Sequence, residues 1–248
     1  WRRQPVPTAS PPAPDPRAMC SPTSRRLTPA PRPGRDSPVI PLGDDTRGTS
    51  FPVVVITLMA ACVACFAWQL SWSGPERALI TGLGFVPGAL FGGAGAAPGV
   101  PALPPPATLV SYLFFHSGWL HLLGNLAYFW VFGRSVERGL GPGLTCTLFI
   151  ATGVLAALAH ATADPASATP IVGASGGLSG LLGAYLVRFP RAEVEVLVPL
   201  FVVMQVVRLP AWLLLAAWFL LQLLLDLTTT ADAAGVAFRA HVGGFVAG

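Results

Sequence analysis

Five polar side chains interrupt stretches of the sequence that are otherwise apolar, and their types suit chemistry at a carbonyl group. Two of them, His121 and Asn125, are four residues apart, so on a helix they share one face. An imidazole and an amide side by side offer two N–H donors to one point, which would stabilise an anion forming on a carbonyl oxygen. The same pair could also serve as interhelical hydrogen bonds that hold a bundle together. His116 lies five residues before His121, on another face or in the preceding loop.

Ser175 lies in the run GASGG of residues 173–177, which matches the Gly-x-Ser-x-Gly pattern of a hydrolase nucleophile. That pattern requires a β-strand before the serine, and no strand is apparent in the sequence, so an α/β-hydrolase fold is not expected. Two interpretations remain. Ser175 is a nucleophile in the first turn of a glycine-rich helix, or these small residues serve only close helix packing.

His241 precedes Gly244 by three residues, and Gly244 and Gly248 form a Gly-x-x-x-Gly face. If this face packs against the glycine-rich helix of Ser175, the imidazole reaches the hydroxyl and can accept its proton as a general base. No acidic residue lies nearby in these segments, so a Ser–His dyad is expected rather than a triad. The sequence contains no His-Glu-x-x-His zinc motif, and we expect no metal.

The remaining sequence indicates a membrane as the setting for these groups. Apolar residues make up 53% and charged residues 10%, against roughly 25% charged residues in an ordinary soluble domain. A membrane helix needs about 20 apolar residues, and six apolar blocks follow residue 50. We expect helices over 51–72, 117–132, 144–161, 173–189 and 209–225, the fifth with an apolar approach from Val194, and a sixth that begins near Gly235 and is cut off at Gly248. The predicted fold is an all-α polytopic membrane protein.

The arginines predict its orientation. Thirteen of the 15 basic residues lie in the N-terminal segment or in the breaks after the second and fourth blocks, and such segments face the cytoplasm. The second, fourth and sixth helices then enter from the outer face, where their polar groups converge. Eight of the arginines precede residue 50, so the net charge of +4 does not describe one surface, and no nucleic-acid partner is expected.

Residues 1–50 differ from the rest of the chain. They are rich in proline, serine, threonine and arginine, and we expect a disordered cytoplasmic segment because they cannot bury enough apolar area to offset the entropy of ordering. The first residue, Trp1, is not an initiator residue, whereas Val39 could be an alternative start translated literally. We therefore hypothesise that residues 1–38 are not translated. The membrane domain is expected over residues 51–248.

Three strings in the sequence closely resemble the signature of rhomboid intramembrane serine proteases of the bacterial type: HSGWLHLLGN at 116–125, GASG at 173–176 and AHVGG at 240–244. The runs RSVE at 134–137 and LPAW at 209–212 are also similar to that family. The resemblance covers about residues 39–248. It implies a six-helix rhomboid bundle with a truncated sixth helix, multi-pass in the inner (plasma) membrane. It also implies a serine endopeptidase without cofactor or metal, whose cavity opens to the outer face and whose partners are transmembrane protein substrates and the lipid bilayer.

The resemblance implies a role for each matching position: nucleophile Ser175, general base His241, oxyanion donors His121 and Asn125, and structural residues His116, Gly173 and Gly244. The backbone N–H of Ser175 would complete the oxyanion hole. Two departures stand out. Some rhomboids carry a tyrosine beneath the histidine ring where this chain has Ser179, so another group must orient the imidazole. The outer loop after the first helix also lacks the Trp-Arg pair of some members.

Two other functions remain as alternatives. The first is a non-catalytic membrane adaptor or chaperone on the same scaffold, which binds client helices without cutting them; the intact Ser175 and His241 argue against it. The second is a transporter, which is less favoured because the polar cluster opens to one face only and the blocks show no repeat.

Overall fold

The computed structural model describes residues 44–46, 50–92, 99–200, 203–228 and 237–248. All of these belong to one compact unit, residues 38–248. Most of the predicted disordered segment, the proposed start at Val39 and the expected beginning of the sixth helix near Gly235 lie outside the described residues.

The helices follow in chain order: α1 (Val53–Ser71), α2 (Glu76–Leu83), α3 (Pro87–Leu90), α4 (Pro105–Ser111), α5 (Trp119–Tyr128), α6 (Arg134–Leu140), α7 (Pro142–Ala161), α8 (Ser175–Arg188), α9 (Ala211–Thr228) and α10 (Phe238–Ala247). Between α8 and α9 lie two strands, β1 (Glu193–Leu200) and β2 (Val203–Pro210). The predominantly helical fold predicted from the sequence is confirmed.

Three helices in the described part of the chain are long and apolar enough to cross a membrane: α1, α7 and α9. They contain 19, 20 and 18 residues, and at about 1.5 Å per residue each extends about 27–30 Å, which matches the hydrocarbon thickness of a bilayer. They correspond to the predicted first, third and fifth helices. Together they make the chain a multi-pass membrane protein.

The second predicted helix is longer than expected. The sequence predicts its end at Phe132 and a break that contains Arg134 and Arg138, but α5 continues through a π-helical turn (Phe129–Gly133) directly into α6. Arginine is a good helix former, so these residues do not end a helix by themselves. The chain leaves the helix only at Gly141, whose φ of 83° suits glycine, and Pro142 starts α7.

The apolar approach from Val194 to the fifth helix is a β-hairpin, which the all-α prediction missed. β1 and β2 pair antiparallel from Glu193 opposite Pro210 to Leu200 opposite Val203. The reason is visible in the residues, because Glu and Val alternate over 193–196 with the period of a strand. Arg208 lies opposite Glu195 and donates to its carboxylate at 2.8 Å. The hairpin follows α8, so it supplies no strand before Ser175.

Helix α8 occupies the centre of the bundle, and every residue from Gly176 to Tyr185 is buried. Its glycines admit its neighbours. A Cβ at Gly177 would lie 2.6 Å from the Phe149 ring of α7, and a Cβ at Gly244 of α10 would collide with the Gly176 carbonyl oxygen. The predicted meeting of the two glycine faces is confirmed. It leaves room for nothing larger than hydrogen at Gly244.

Ordered packing begins before residue 50, earlier than predicted. The side chain of Asp44 accepts a hydrogen bond from the Tyr185 hydroxyl at 2.8 Å and lies 3.5 Å from the Arg138 guanidinium. These groups form a polar cluster at the end of α8 that is remote from Ser175. We call this cluster the arginine end, made of Asp44, Thr46, Ser135, Glu137, Arg138 and Tyr185.

Candidate active site

Ser175 and His241 are brought together by the packing of α8 against α10. Ser175 is the first residue of α8 and His241 lies in the first turn of α10. Ser175 Oγ is 2.8 Å from His241 Nε2, which is hydrogen-bond distance. The contact depends on the glycine faces, because the two helices approach closely enough only where no side chain separates them.

The other ring nitrogen of His241 has a partner that the sequence analysis missed. Nδ1 is 2.8 Å from Oε1 of Gln222, which is buried on α9. The signal was available in the sequence, because Gln222 is an amide inside a long apolar helix, where polar groups are costly and indicate function. The Trp218 ring lies beside the imidazole, with ring centroids 6.2 Å apart.

His121 and Asn125 both lie on α5 and face the chain just before Ser175. A Cβ built on Gly173 would contact the His121 ring and lie 3.6 Å from Asn125 Nδ2. Gly173 has a φ of 123°, a conformation that glycine adopts without strain. Glycine is therefore required at position 173 for two reasons: its backbone adopts this φ, and it has no side chain to collide with His121.

Asn125 Nδ2 is buried and has no hydrogen-bond partner among the described residues. Buried amides are normally paired, so an unpaired one at a site needs an explanation. His121 holds its ring through Nδ1, which is 3.0 Å from Ser117 Oγ. Its other nitrogen, Nε2, is the atom that a Cβ built on Gly173 would meet first. Both side chains thus direct a nitrogen toward the same stretch of backbone.

His116 is fully buried behind this face and anchors the start of α5. Gln69 of α1 holds its backbone from both sides: the amide nitrogen of Gln69 donates to the His116 carbonyl at 2.9 Å, and the His116 N–H donates to Gln69 Oε1 at 2.9 Å. The His116 and His121 rings meet edge to face at 5.2 Å. These contacts hold the start of α5 against α1, and the structural role of His116 stays a prediction.

Ser179, which stands where some rhomboids carry a tyrosine, points back along its own helix. Its hydroxyl donates to the Ser175 carbonyl oxygen at 2.7 Å. The contacts of the His241 ring are made instead with Ser175, Gln222 and Trp218.

A cavity of about 560 Å³ adjoins these groups. Its wall includes six polar side chains from five helices: His121, Asn125, His160, Ser175, Gln222 and His241. His160 Nδ1 is buried and without a hydrogen-bond partner in the described structure. Within residues 44–46, 50–92, 99–200, 203–228 and 237–248, no three His, Cys, Asp or Glu side chains are arranged to hold a metal.

This arrangement is suited to acyl transfer. A serine hydroxyl that donates to an imidazole becomes a nucleophile when the imidazole accepts its proton. Ser175 begins α8, so its backbone N–H is among those that the helix leaves without an internal partner. That N–H, with the nitrogens of His121 and Asn125, offers donors on the side where a carbonyl oxygen would develop charge.

Comparison with known proteins agrees with the fold. A model of the rhomboid domain matches residues 106–248. Rhomboid-related protein 2 of Mus musculus is 33% identical over 141 residues, which are 56% of this chain and 44% of that protein. Rhomboid-like protease 5 of Toxoplasma gondii is 32% identical over 140 residues, 55% of this chain and 14% of that protein. RHOMBOID-like protein 5 of Arabidopsis thaliana is 35% identical over 78 residues, 32% of this chain and 25% of that protein.

The chain spans less than half the length of each of these relatives. These matches identify the family and do not distinguish its bacterial type. The domain match extends over more than half of the chain and includes every residue of the candidate site. The chain belongs to the rhomboid family.

Proposed function

We propose that this protein is a serine endopeptidase that cleaves transmembrane protein substrates, with Ser175 as nucleophile and His241 as general base. The observation that carries the proposal is the 2.8 Å contact between Ser175 Oγ and His241 Nε2 at the wall of a cavity inside a membrane domain. One named relative, the rhomboid-like protease of Toxoplasma gondii, is consistent with it.

In the proposed reaction Ser175 Oγ attacks the carbonyl carbon of the scissile peptide bond while its proton passes to His241 Nε2. The carbonyl π electrons move onto the oxygen, and the resulting anion accepts hydrogen bonds from Asn125, His121 and the Ser175 N–H. The imidazolium then gives its proton to the leaving nitrogen as the C–N bond breaks. Water hydrolyses the acyl-enzyme by the same proton transfers in turn.

The position of Ser175 supports a substrate that is itself in the membrane. Helix α8 has 14 residues and extends about 21 Å, less than the roughly 30 Å of the hydrocarbon core. Its first residue, Ser175, therefore lies below the membrane surface if Arg188 at its other end reaches the opposite one. A peptide bond in a helical substrate is protected by its own hydrogen bonds, so the substrate must unwind locally to enter the cavity.

For orientation, we propose that the arginine end faces the cytoplasm and the cavity the outer side of the plasma membrane. Arg188 is the last residue of α8, at the end opposite Ser175, and Arg138 lies in α6. An excess of basic residues is typical of the cytoplasmic side. Alkaline phosphatase, active only outside the cytoplasm, is expected to be active when fused after Ala163 and inactive when fused after Leu140. The reverse pattern would overturn the orientation.

The direct test of the activity is reconstitution with a model transmembrane substrate. The wild-type chain is expected to cut within or next to the membrane segment, as located by mass spectrometry of the products, and Ser175→Ala is expected to leave the substrate intact. Unchanged cleavage by Ser175→Ala would overturn the proposal. Substrate that copurifies uncut with the wild-type chain would instead support the adaptor function.

A further inference from the structure

We infer that Gln222 is a positioning residue that holds His241 in the one neutral tautomer able to act as base toward Ser175. The inference rests on the proposed function for its catalytic consequence, but its structural content is independent. It concerns which ring nitrogen of His241 carries the proton and what keeps it there.

The two hydrogen bonds of the ring require each other. A neutral imidazole has one N–H donor and one bare nitrogen that accepts. Ser175 can donate its hydroxyl proton only to a bare Nε2, so the ring proton must lie on Nδ1. Nδ1–H then needs an acceptor, and Gln222 Oε1 is 2.8 Å away. In the opposite tautomer the Gln222 amide would have to turn over and present its NH2 to a bare Nδ1, and Nε2 would no longer accept the serine proton.

Helix α9 presents this acceptor on one stripe that faces α10. Trp218, Gln222 and Asp226 follow one another at four-residue spacing and so share a face. Trp218 packs beside His241, Gln222 receives its Nδ1–H, and Asp226 accepts from Arg239 Nε at 3.1 Å. The ion pair at one end and the ring contact at the other fix the height of Gln222 relative to His241.

The amide is also held tightly. Gln222 is 8% exposed, and it is one of three buried residues of α9, with Ala211 and Leu215. Burial restricts the rotamers of a side chain, which favours a fixed position for its acceptor. Because the partner is uncharged, it directs the ring without placing a negative charge beside the imidazolium that forms in the reaction.

The test compares three purified full-length variants in detergent. Gln222→Met keeps the length of the side chain and removes the oxygen, whereas Gln222→Glu keeps an oxygen acceptor. Leu221→Met is the control, because it introduces methionine at a neighbouring, half-exposed position. We expect Gln222→Met to lower kcat about tenfold, the rate equivalent of one lost hydrogen bond, with KM little changed. Gln222→Glu is expected to recover most of that loss, and Leu221→Met to behave as wild type.

The readout specific to positioning is the ¹⁵N spectrum of the His241 imidazole, assigned by its loss in His241→Ala. Wild type, Gln222→Glu and Leu221→Met should show protonated Nδ1 and bare Nε2, and Gln222→Met should show a mixture. A wild-type spectrum in Gln222→Met would overturn the inference, as would wild-type kcat. A wild-type chain that cleaves nothing would refute the proposed function alone, because the spectrum reports the tautomer without substrate.

Discussion

The two ends of the bundle differ in what surrounds their buried polar groups. At the arginine end, the Glu137 carboxylate accepts hydrogen bonds from the backbone N–H groups of Val54 and Val55 at 2.9 and 2.8 Å. Arg138 donates through Nη2 to Thr46 and Ser135, while its Nε has no partner among the described residues. Near Ser175, by contrast, Asn125 Nδ2 and His160 Nδ1 are buried, line a cavity and have no partner among the described residues.

This difference separates the groups that stabilise the fold from those available for chemistry. A buried polar group that has its partners contributes to stability, and its removal leaves those partners unsatisfied. A buried donor beside a cavity contributes little to stability and remains free for a ligand. Substitutions near Ser175 should therefore lower activity and spare stability, and substitutions at the arginine end should do the reverse.

The largest effect is expected from the two residues in contact. Ser175→Ala and His241→Ala should each reduce cleavage of a transmembrane substrate below detection, because each removes half of one nucleophile–base unit, and the double variant should be no worse than either. Thermal unfolding in detergent should change little. Ser179→Ala, a serine one turn further along α8, is the matched control and should cleave normally. If Ser175→Ala cleaved the substrate near the wild-type rate, the groups near Ser175 would not be the ones that carry activity.

Asn125→Ala should lower kcat by about 10²–10³-fold, the usual cost of removing one oxyanion donor, since the other donors remain. KM should stay close to the wild-type value. Leu123→Ala, an exposed position on the same helix, serves as control. If KM rose sharply while kcat was unchanged, Asn125 would belong to substrate binding.

Gly244→Val tests the helix approach behind the contact. A side chain there collides with the Gly176 carbonyl and should push α10 away from α8, and a displacement of about 1 Å can lower the rate on the order of 10²-fold. Activity and melting temperature are measured together, with the exposed Val246→Leu as control. Wild-type values for both in Gly244→Val would show that the helices do not pack through this face.

The smallest effect on activity and a clear one on stability are expected from Glu137→Ala at the arginine end. It leaves the N–H groups of Val54 and Val55 without their acceptor, at a cost of roughly 1–3 kcal/mol. The melting temperature of Glu137→Ala should fall, and that of Glu137→Gln should lie between those of Glu137→Ala and wild type. The folded fraction should cleave at the wild-type rate. Equal melting temperatures of Glu137→Ala and wild type would contradict the claim that the arginine end stabilises the fold.

Much of the positioning of the site was predictable from local patterns. The glycine spacing at 173–177 and 244–248 predicts that Ser175 and His241 come together if the two glycine faces pack against each other. The apolar blocks predicted α1, α7 and α9 within two residues at most ends, because helix length in a membrane is constrained by its thickness.

What escaped prediction depends on contacts between distant segments. Gln222 resembles an isolated polar residue until the packing of α9 on α10 places it 2.8 Å from His241 Nδ1. The hairpin at 193–210 was not predicted, because its many apolar residues resemble an extension of the fifth helix. The alternation of Glu193 and Glu195 with valines is too short to outweigh that resemblance. The packing of Asp44 on Tyr185 and Arg138 spans about half the chain, a separation that no local pattern reports.

The most direct test of the central claim, that Ser175 is a nucleophile activated by His241, is covalent capture by a fluorophosphonate. The probe reacts with activated serines and needs no knowledge of the substrate. Peptide mass spectrometry should locate the adduct on Ser175 in the wild-type chain, and His241→Ala, folded to the same melting temperature, should remain unlabelled. Equal labelling of Ser175 in His241→Ala, or an adduct on another serine such as Ser179, would contradict the account.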